Sequence, residues 1–235
     1  MSSPFLDVQG NPIPQEQVLG IGRSGLVLLQ NNAATDVEAN TLSLRREQDV
    51  DRRLHFPGDE RSHGVVPCVE FTANSTHFAY MVNGDLQAYL AKSRPPRQLQ
   101  LRWFNQMART LSFIHDRRVL HTNIARRNFL LGSDLSLNIY DNGYTTQIDI
   151  GFIGAVIYEV VTGIKCKIDL FKDNSPTDGR TCWPAREFLP STRGVWLGEI
   201  IDGCWSRGIL SARQLLQTLE PITLEHETRR GLAGS

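Results

Sequence analysis

Lysine is scarce in this sequence. Of 235 residues only four are lysine, Lys92, Lys165, Lys167 and Lys172, so arginine supplies most of the 25 basic side chains. The first 91 residues contain none, which excludes from that part any site built on a lysine ammonium, a compact charge that an arginine fork replaces poorly. Net charge is missing as well: 25 basic residues balance 25 acidic ones, so no general pull toward nucleic acid or an anionic membrane is expected. Cys68, Cys166, Cys182 and Cys204 show neither metal-ligand nor disulfide spacing, which fits a reducing compartment. The longest apolar run, Ile150 to Ile164, is short for a bilayer span and carries Glu159. The opening "MSSPFLDVQG" has neither the basic start nor the apolar core of a secretory signal. These absences lead to the expectation of a cytoplasmic protein with no membrane or nucleic-acid partner.

What is present suits a full hydrophobic core, in one large domain or two small lobes: 40% of the residues are apolar. The segments "VLGIG", "LVLLQ", "VVPCVEF" and "HFAYMV", parted by turn-prone clusters such as "QNNAATD" and "TANSTH", predict a small antiparallel sheet. The charged stretch from Thr41 to Leu54 predicts one helix against it. Beyond "NGDLQAYLAKSRPP" the period changes. Leu101, Phe104, Met107, Ala108, Leu111 and Ile114 recur at three- and four-residue intervals, which predicts a one-face-buried helix from Gln98 to Arg117. Further helices are expected over Asp149 to Val161, Val195 to Trp205 and Ser211 to Leu219.

The stretch "VLGIGRSGLVLL" places Gly20, Gly22 and Gly25 in G-x-G-x-x-G spacing. A dinucleotide-binding loop passes from strand to helix, so that the helix N-terminus meets the pyrophosphate. Here Gly25 precedes "LVLLQNN", too short for a helix and ending in a turn, so a second strand is expected. By itself such a hairpin serves equally as a turn with no ligand. Downstream, "HTNIARRNFLL" sets His121 and Asn128 in the spacing of H-R-D-L-x-x-x-N, and "YDNG" follows with Asp141 thirteen residues past Asn128. "DIGFIGAVIYEVVTG" supplies an apolar helix opening on an aspartate, "YMVNGDLQAYL" a hinge-like segment, and "IIDGCWS" a late helix.

In this order these pieces resemble the protein kinase family across most of residues 18 to 220. The resemblance implies an α+β, two-lobed protein-kinase-like fold in a single domain over residues 1–235. Its small β-rich lobe would cover about 15–82 and its larger helical lobe about 83–220, with a single hinge strand and short tails. It implies ATP and Mg²⁺ as cofactors. Gly20, Gly22, Gly25 and Val27 would cover the nucleotide, the backbone near Met81 would meet adenine, Asp85 would reach the ribose, and Leu130 would join them. Asn128 and Asp141 would hold magnesium through oxygen.

Three departures set limits on that likeness. Asn123 stands at the place of the catalytic aspartate, with Arg127 four residues on, and an amide cannot accept a proton as a carboxylate does. No lysine is available to clamp phosphate, whether the third strand is "NAATDV" or "NTLSL"; the partner glutamate of such a lysine is placed at Glu47. Only "NGYTTQI" lies between Asp141 and Asp149, a shortened activation segment. The expectation is a pseudokinase-type regulatory or interaction module with an unknown protein partner. The alternative is an active Ser/Thr or Tyr kinase with atypical motifs or an incomplete sequence.

Overall fold

The computed structural model describes residues 2–6, 12–21, 25–30, 33–38, 41–55, 64–121, 124–133, 137–139, 146–170 and 183–233. The chain divides into two compact units, Met1–Val82 and Asn83–Ser235. Strands dominate the first and helices the second, an α+β distribution.

In the first unit, β1 (Ser2–Leu6) and β2 (Pro12–Pro14) form a two-stranded antiparallel ladder of their own. The main sheet has the order β3-β4-β5-β7-β6, all antiparallel, from β3 (Val18–Ile21), β4 (Gly25–Gln30), β5 (Ala33–Glu38), β6 (Cys68–Phe71) and β7 (Ser75–Ala79). The third strand is therefore "AATDVE", within a stretch that reads as a turn by composition. "TLSL", the other reading, opens the helix α1 (Thr41–Leu54). Along β7 burial alternates, with Thr76 and Phe78 facing inward, as the two-residue period of a strand requires. α1 packs on β5 and β7 and buries Leu44, Gln48 and Leu54. The Gln48 amide donates to the carbonyls of Thr72 (3.0 Å) and Ser75 (3.2 Å), which ties the helix to the β6–β7 turn.

The second unit opens with α2 (Leu86–Lys92), whose first turn is capped by Asp85 accepting the Ala88 N–H at 2.8 Å. Gly84 just before it has φ +66°, a left-handed conformation that glycine adopts without strain. α3 (Arg97–Asp116) buries Leu101, Trp103, Phe104, Met107, Leu111 and Ile114 on one face, the expected periodicity. α4 (Thr146–Thr162) is buried on nearly every side, from Ile148 to Val160. It begins three residues before Asp149, so the segment after Asp141 is partly absorbed into helix. A short hairpin pairs β8 (Phe129–Leu131) with β9 (Leu137–Ile139).

The last two helices differ from expectation for local reasons. α5 (Gly198–Trp205) begins after Val195 because Leu197 sits at φ +60°, and turn bonds from Val195 N–H to Thr192 and from Gly198 N–H to Val195 replace a helical start. α6 (Ala212–Ala233) passes beyond Leu219 and through Pro221, which removes one backbone donor. α3 holds it on both sides of the proline: Arg109 pairs with Glu220 at 3.5 Å, and the Asn105 amide donates to Thr223 Oγ1 at 2.8 Å. The Arg109–Glu220 pair is exposed and worth under about 1 kcal/mol. Complete burial of Leu215 and Leu219 contributes more, about 1.5–3 kcal/mol each.

α4 and α5 pack closely because α4 offers glycine at the contact. A Cβ on Gly154 would lie 2.7 Å from Cys204 Cβ, and the Gly151 carbonyl accepts the Trp205 indole N–H at 3.2 Å. Burial pushes the Cys204 thiol up to about 12, so it is a neutral packing group at physiological pH. Gly154→Ala should therefore destabilise the chain, with overpacking of about 1–3 kcal/mol exceeding the roughly 1 kcal/mol that alanine adds in a helix. The check is a guanidinium titration, in which the midpoint falls at constant slope. A raised midpoint would show that the helix gain wins.

Candidate functional site

Two acids lie inside the apolar sequence of α4, and each must find partners there, because an unpaired buried carboxylate is costly. Asp149 is fully buried; its Oδ2 accepts the His121 backbone N–H at 2.9 Å and lies 3.0 Å from His115 Nε2 at the end of α3. Glu159 is 8% exposed. Its Oε1 accepts the Cys166 N–H at 2.8 Å, and its Oε2 pairs with Arg126 Nε at 2.7 Å. Burial first, and then Glu159, push the Cys166 thiol up to about 11. Ten residues separate the two acids, about 15 Å along the helix. The segment from His121 to Arg126 is thus fastened at both ends to one helix.

The loop residues that follow are placed in turn. Ile124 is buried, and Arg126–Asn128 form a 3₁₀ turn closed by Asn128 N–H on the Ala125 carbonyl at 2.9 Å. Arg127 is exposed and Asn128 half-buried. In β8 the fully buried Phe129 and Leu131 flank the half-buried Leu130. Residues 83–85 join that strand: Leu131 N–H donates to Gly84 O (2.8 Å), Asn83 Nδ2 donates to Gly132 O (2.6 Å), and Asp85 bridges Leu130. Asp85 and Leu130, 45 residues apart in sequence, are therefore neighbours. The register Phe129↔Ile139 means that Asn128 enters the hairpin at the end where β9 leaves it. Asn123 and Asp141 lie outside the described residues. Among the described residues no cluster of three or more His, Cys, Asp or Glu groups is placed to hold a metal ion.

In the first unit, Gly20 pairs across β3–β4 with Val27, and Gly25 pairs across β4–β5 with Glu38. The strands flanking the glycine segment are antiparallel, so this segment joins strand to strand rather than opening a helix. Gly22 is outside the described residues. Met81 follows β7, half-buried.

Sequence reasoning places Asp149 only at a helix start, and gives no role to Arg126, His115, Glu159 or the acids of β5. A signal for the first group is available: an acid within an apolar run demands a buried partner. The acids of β5, Asp36 and Glu38, are hidden by the turn-like composition of their segment.

Comparison with known proteins agrees with the motifs. Residues 41–152 match the family described as protein tyrosine and serine/threonine kinase. The CBL-interacting protein kinase 30 of Oryza sativa subsp. japonica is 27% identical over 148 residues, 62% of this chain and 30% of that protein. The serine/threonine-protein kinase kin-29 of Caenorhabditis briggsae is 26% identical over 111 residues, 45% of this chain and 13% of its own. The serine/threonine-protein kinase LMTK3 of Mus musculus is 34% identical over 103 residues, 39% of this chain and 7% of its own. Through this segment, a little under half of the chain, the sequence is similar to the protein kinase family. It matches at most 30% of the length of these three relatives. Among the described residues, no helix is long and apolar enough to cross a membrane.

The Arg126–Glu159 pair provides a direct test of how the loop is held, since its side chains are only 17% and 10% exposed. Glu159→Gln and Arg126→Met should each cost about 3 kcal/mol by leaving a charge uncompensated. The double variant should cost well under the sum, as a double-mutant cycle on chemical denaturation reads out. Strict additivity would show that the two groups do not act together.

Proposed function

We propose that this chain is a protein-kinase-like regulatory or interaction module in which phosphoryl transfer is impaired. It forms one domain over residues 1–235, with a small lobe over about 15–82 and a larger one over about 83–220, and a cytoplasmic location and a protein partner belong to the same reading. The observation that carries it is the composition of β5. The strand that pairs with β4, at the place of the phosphate-clamping strand, is Ala33–Glu38, and it holds Asp36 and Glu38 but no basic residue. Phosphoryl transfer depends on positive charge placed around the phosphates and on a base beside the acceptor hydroxyl. Here the first is replaced by negative charge, and Asn123 stands in for the second.

The residues differ in how they suit the cofactors of the family. Asn128 and Asp141 offer the hard oxygen donors that magnesium takes, and the entry of Asn128 beside the exit of β9 supports that pairing. Gly20, Gly22, Gly25, Val27, Met81, Asp85 and Leu130 suit the nucleoside part of ATP. The acids of β5 do not suit its triphosphate.

A second reading, an active kinase with atypical motifs, draws support from the retained anchoring of His121 on Asp149 and from the kinase names of the relatives. A radiolabel transfer assay on generic protein substrates separates the two, with wild type and Asn123→Asp side by side. No transfer above background is expected from either, because restoring one member of a broken catalytic set recovers little. Robust transfer by the wild type would establish the second reading, and transfer by Asn123→Asp alone would make the base the sole essential loss.

A further inference from the structure

We propose that the second unit docks an acidic peptide segment of a protein partner on a basic surface where the stretches 92–97, 161–167 and 191–196 meet. This rests on the interaction-module reading above and adds the chemical class of the partner.

Two contacts bring these stretches together. Arg94 Nη2 donates to the Val161 carbonyl at 3.1 Å, in the last turn of α4, and the Arg97 guanidinium lies over the Trp196 ring, 5.0 Å from its centroid. The chain beyond α4 is then folded back on that helix. Gly163 turns it with φ +75°, Ile164 N–H donates to Thr162 Oγ1 at 3.1 Å, and Cys166 N–H donates to the buried Glu159 at 2.8 Å. Pinning the buried Cys166 leaves its neighbours Lys165 and Lys167 exposed on a backbone held to α4. Lys165 is four residues from the carbonyl that Arg94 holds, at most about 14 Å of chain.

Charge here is one-sided. Over 92–97, 161–169 and 191–199 the six bases Lys92, Arg94, Arg97, Lys165, Lys167 and Arg193, all exposed, outnumber two acids, Asp169 and Glu199. The three described lysines of a lysine-poor chain all lie on this surface. Among the described residues none of the six bases forms a salt bridge. Arg94 holds a backbone carbonyl and Arg97 an aromatic face, so neither charge is neutralised. A single exposed ion pair adds little, so recognition needs several carboxylates engaged at once, which a run of Asp or Glu in one peptide supplies. Ile164, 58% exposed beside Lys165, offers an apolar anchor for a side chain of that peptide. The zero net charge of the chain argues against a bilayer or a duplex, whose attraction sums over a wide surface. Trp196 is half-buried with Arg97 over its ring, rather than free to enter a bilayer interface.

The test is a fluorescence-anisotropy titration of the full chain with a labelled oligoglutamate peptide carrying one leucine, beside its oligoglutamine counterpart. The glutamate peptide should bind about tenfold or more tightly, and added salt should weaken it. Lys165→Glu combined with Lys167→Glu, and separately Lys92→Glu, should each weaken that binding about threefold or more while leaving the glutamine peptide unchanged. These lysines hold no side-chain partner among the described residues, so the ligand-free melting point should stay at the wild-type value. Two variants are used so that a folding defect in one leaves the other to decide. Arg213→Gln, at a residue paired with Asp116 about 28 Å along α3 from Arg97, should change nothing. Equal binding of the two peptides would overturn the proposal, as would an equal loss in Arg213→Gln or no loss in the folded lysine variants. Tighter binding to phosphatidylserine vesicles or to duplex DNA than to the glutamate peptide would overturn it in favour of an extended anionic surface. Binding of neither peptide, with no transfer in the radiolabel assay, would overturn this surface and leave the module reading standing. Robust transfer by the wild type would overturn that reading and this proposal with it.

Discussion

The second unit depends on one constraint: α4 is buried nearly all round, and it carries two carboxylates. A helix with no face to water cannot leave an acid solvated, so Asp149 and Glu159 must be satisfied by the chain that wraps them. Asp149 takes the backbone of His121 and the ring of His115, and Glu159 takes the backbone of Cys166 and the guanidinium of Arg126. Leaving one such charge unpaired costs several kcal/mol, a large part of the roughly 5–15 kcal/mol by which domains are stable. Burial of α4 and ordering of the chain that wraps it are therefore one event. Exposed pairs such as Arg213–Asp116 are too weak to impose comparable order.

This constraint also marks where sequence is a sufficient guide. α3 is legible because its apolar residues repeat at helical intervals along its whole length, and its bounds differ by one residue from the periodic stretch. α4 is legible as an apolar run, although Thr146 rather than Asp149 begins it, since polar residues at a helix start leave no hydrophobic mark. The starts and stops of α5 and α6 depend on a left-handed Leu197 and on α3 supporting α6 past Pro221, tertiary facts with no local signature. β5 reads as a turn because Asn, Ala, Thr and Asp dominate its surroundings, yet unbroken ladders to β4 and β7 make it the central strand of the sheet. The site divides in the same way. Motif spacing singles out Asn128 and Asp85, whereas the bridge that sets Asp85 beside Leu130 requires a pairing across 45 residues.

The contacts that build the fold and the residues that depart from kinase chemistry are separate sets. Asp149, Glu159, Arg126 and the glycines of α4 act on packing, and their loss is felt as stability. A phosphate clamp acts on ligand, and concentrated like charge in such a site tends to weaken a fold, so replacing it removes chemistry without removing structure. Geometry built by packing can therefore persist independently of the residues that a transfer reaction would use.

The acids of β5 go one step further than loss. Aspartate is a poor strand former, and a neutral β-branched residue at position 36 would suit a central strand better. Strand pairing alone does not account for an acid at the position between Val27 and Thr76. Places where a local rule is broken without structural gain are where function is expected to supply the reason. An acid in the central strand and a second one two residues on add negative charge to a strand whose pairing does not call for it.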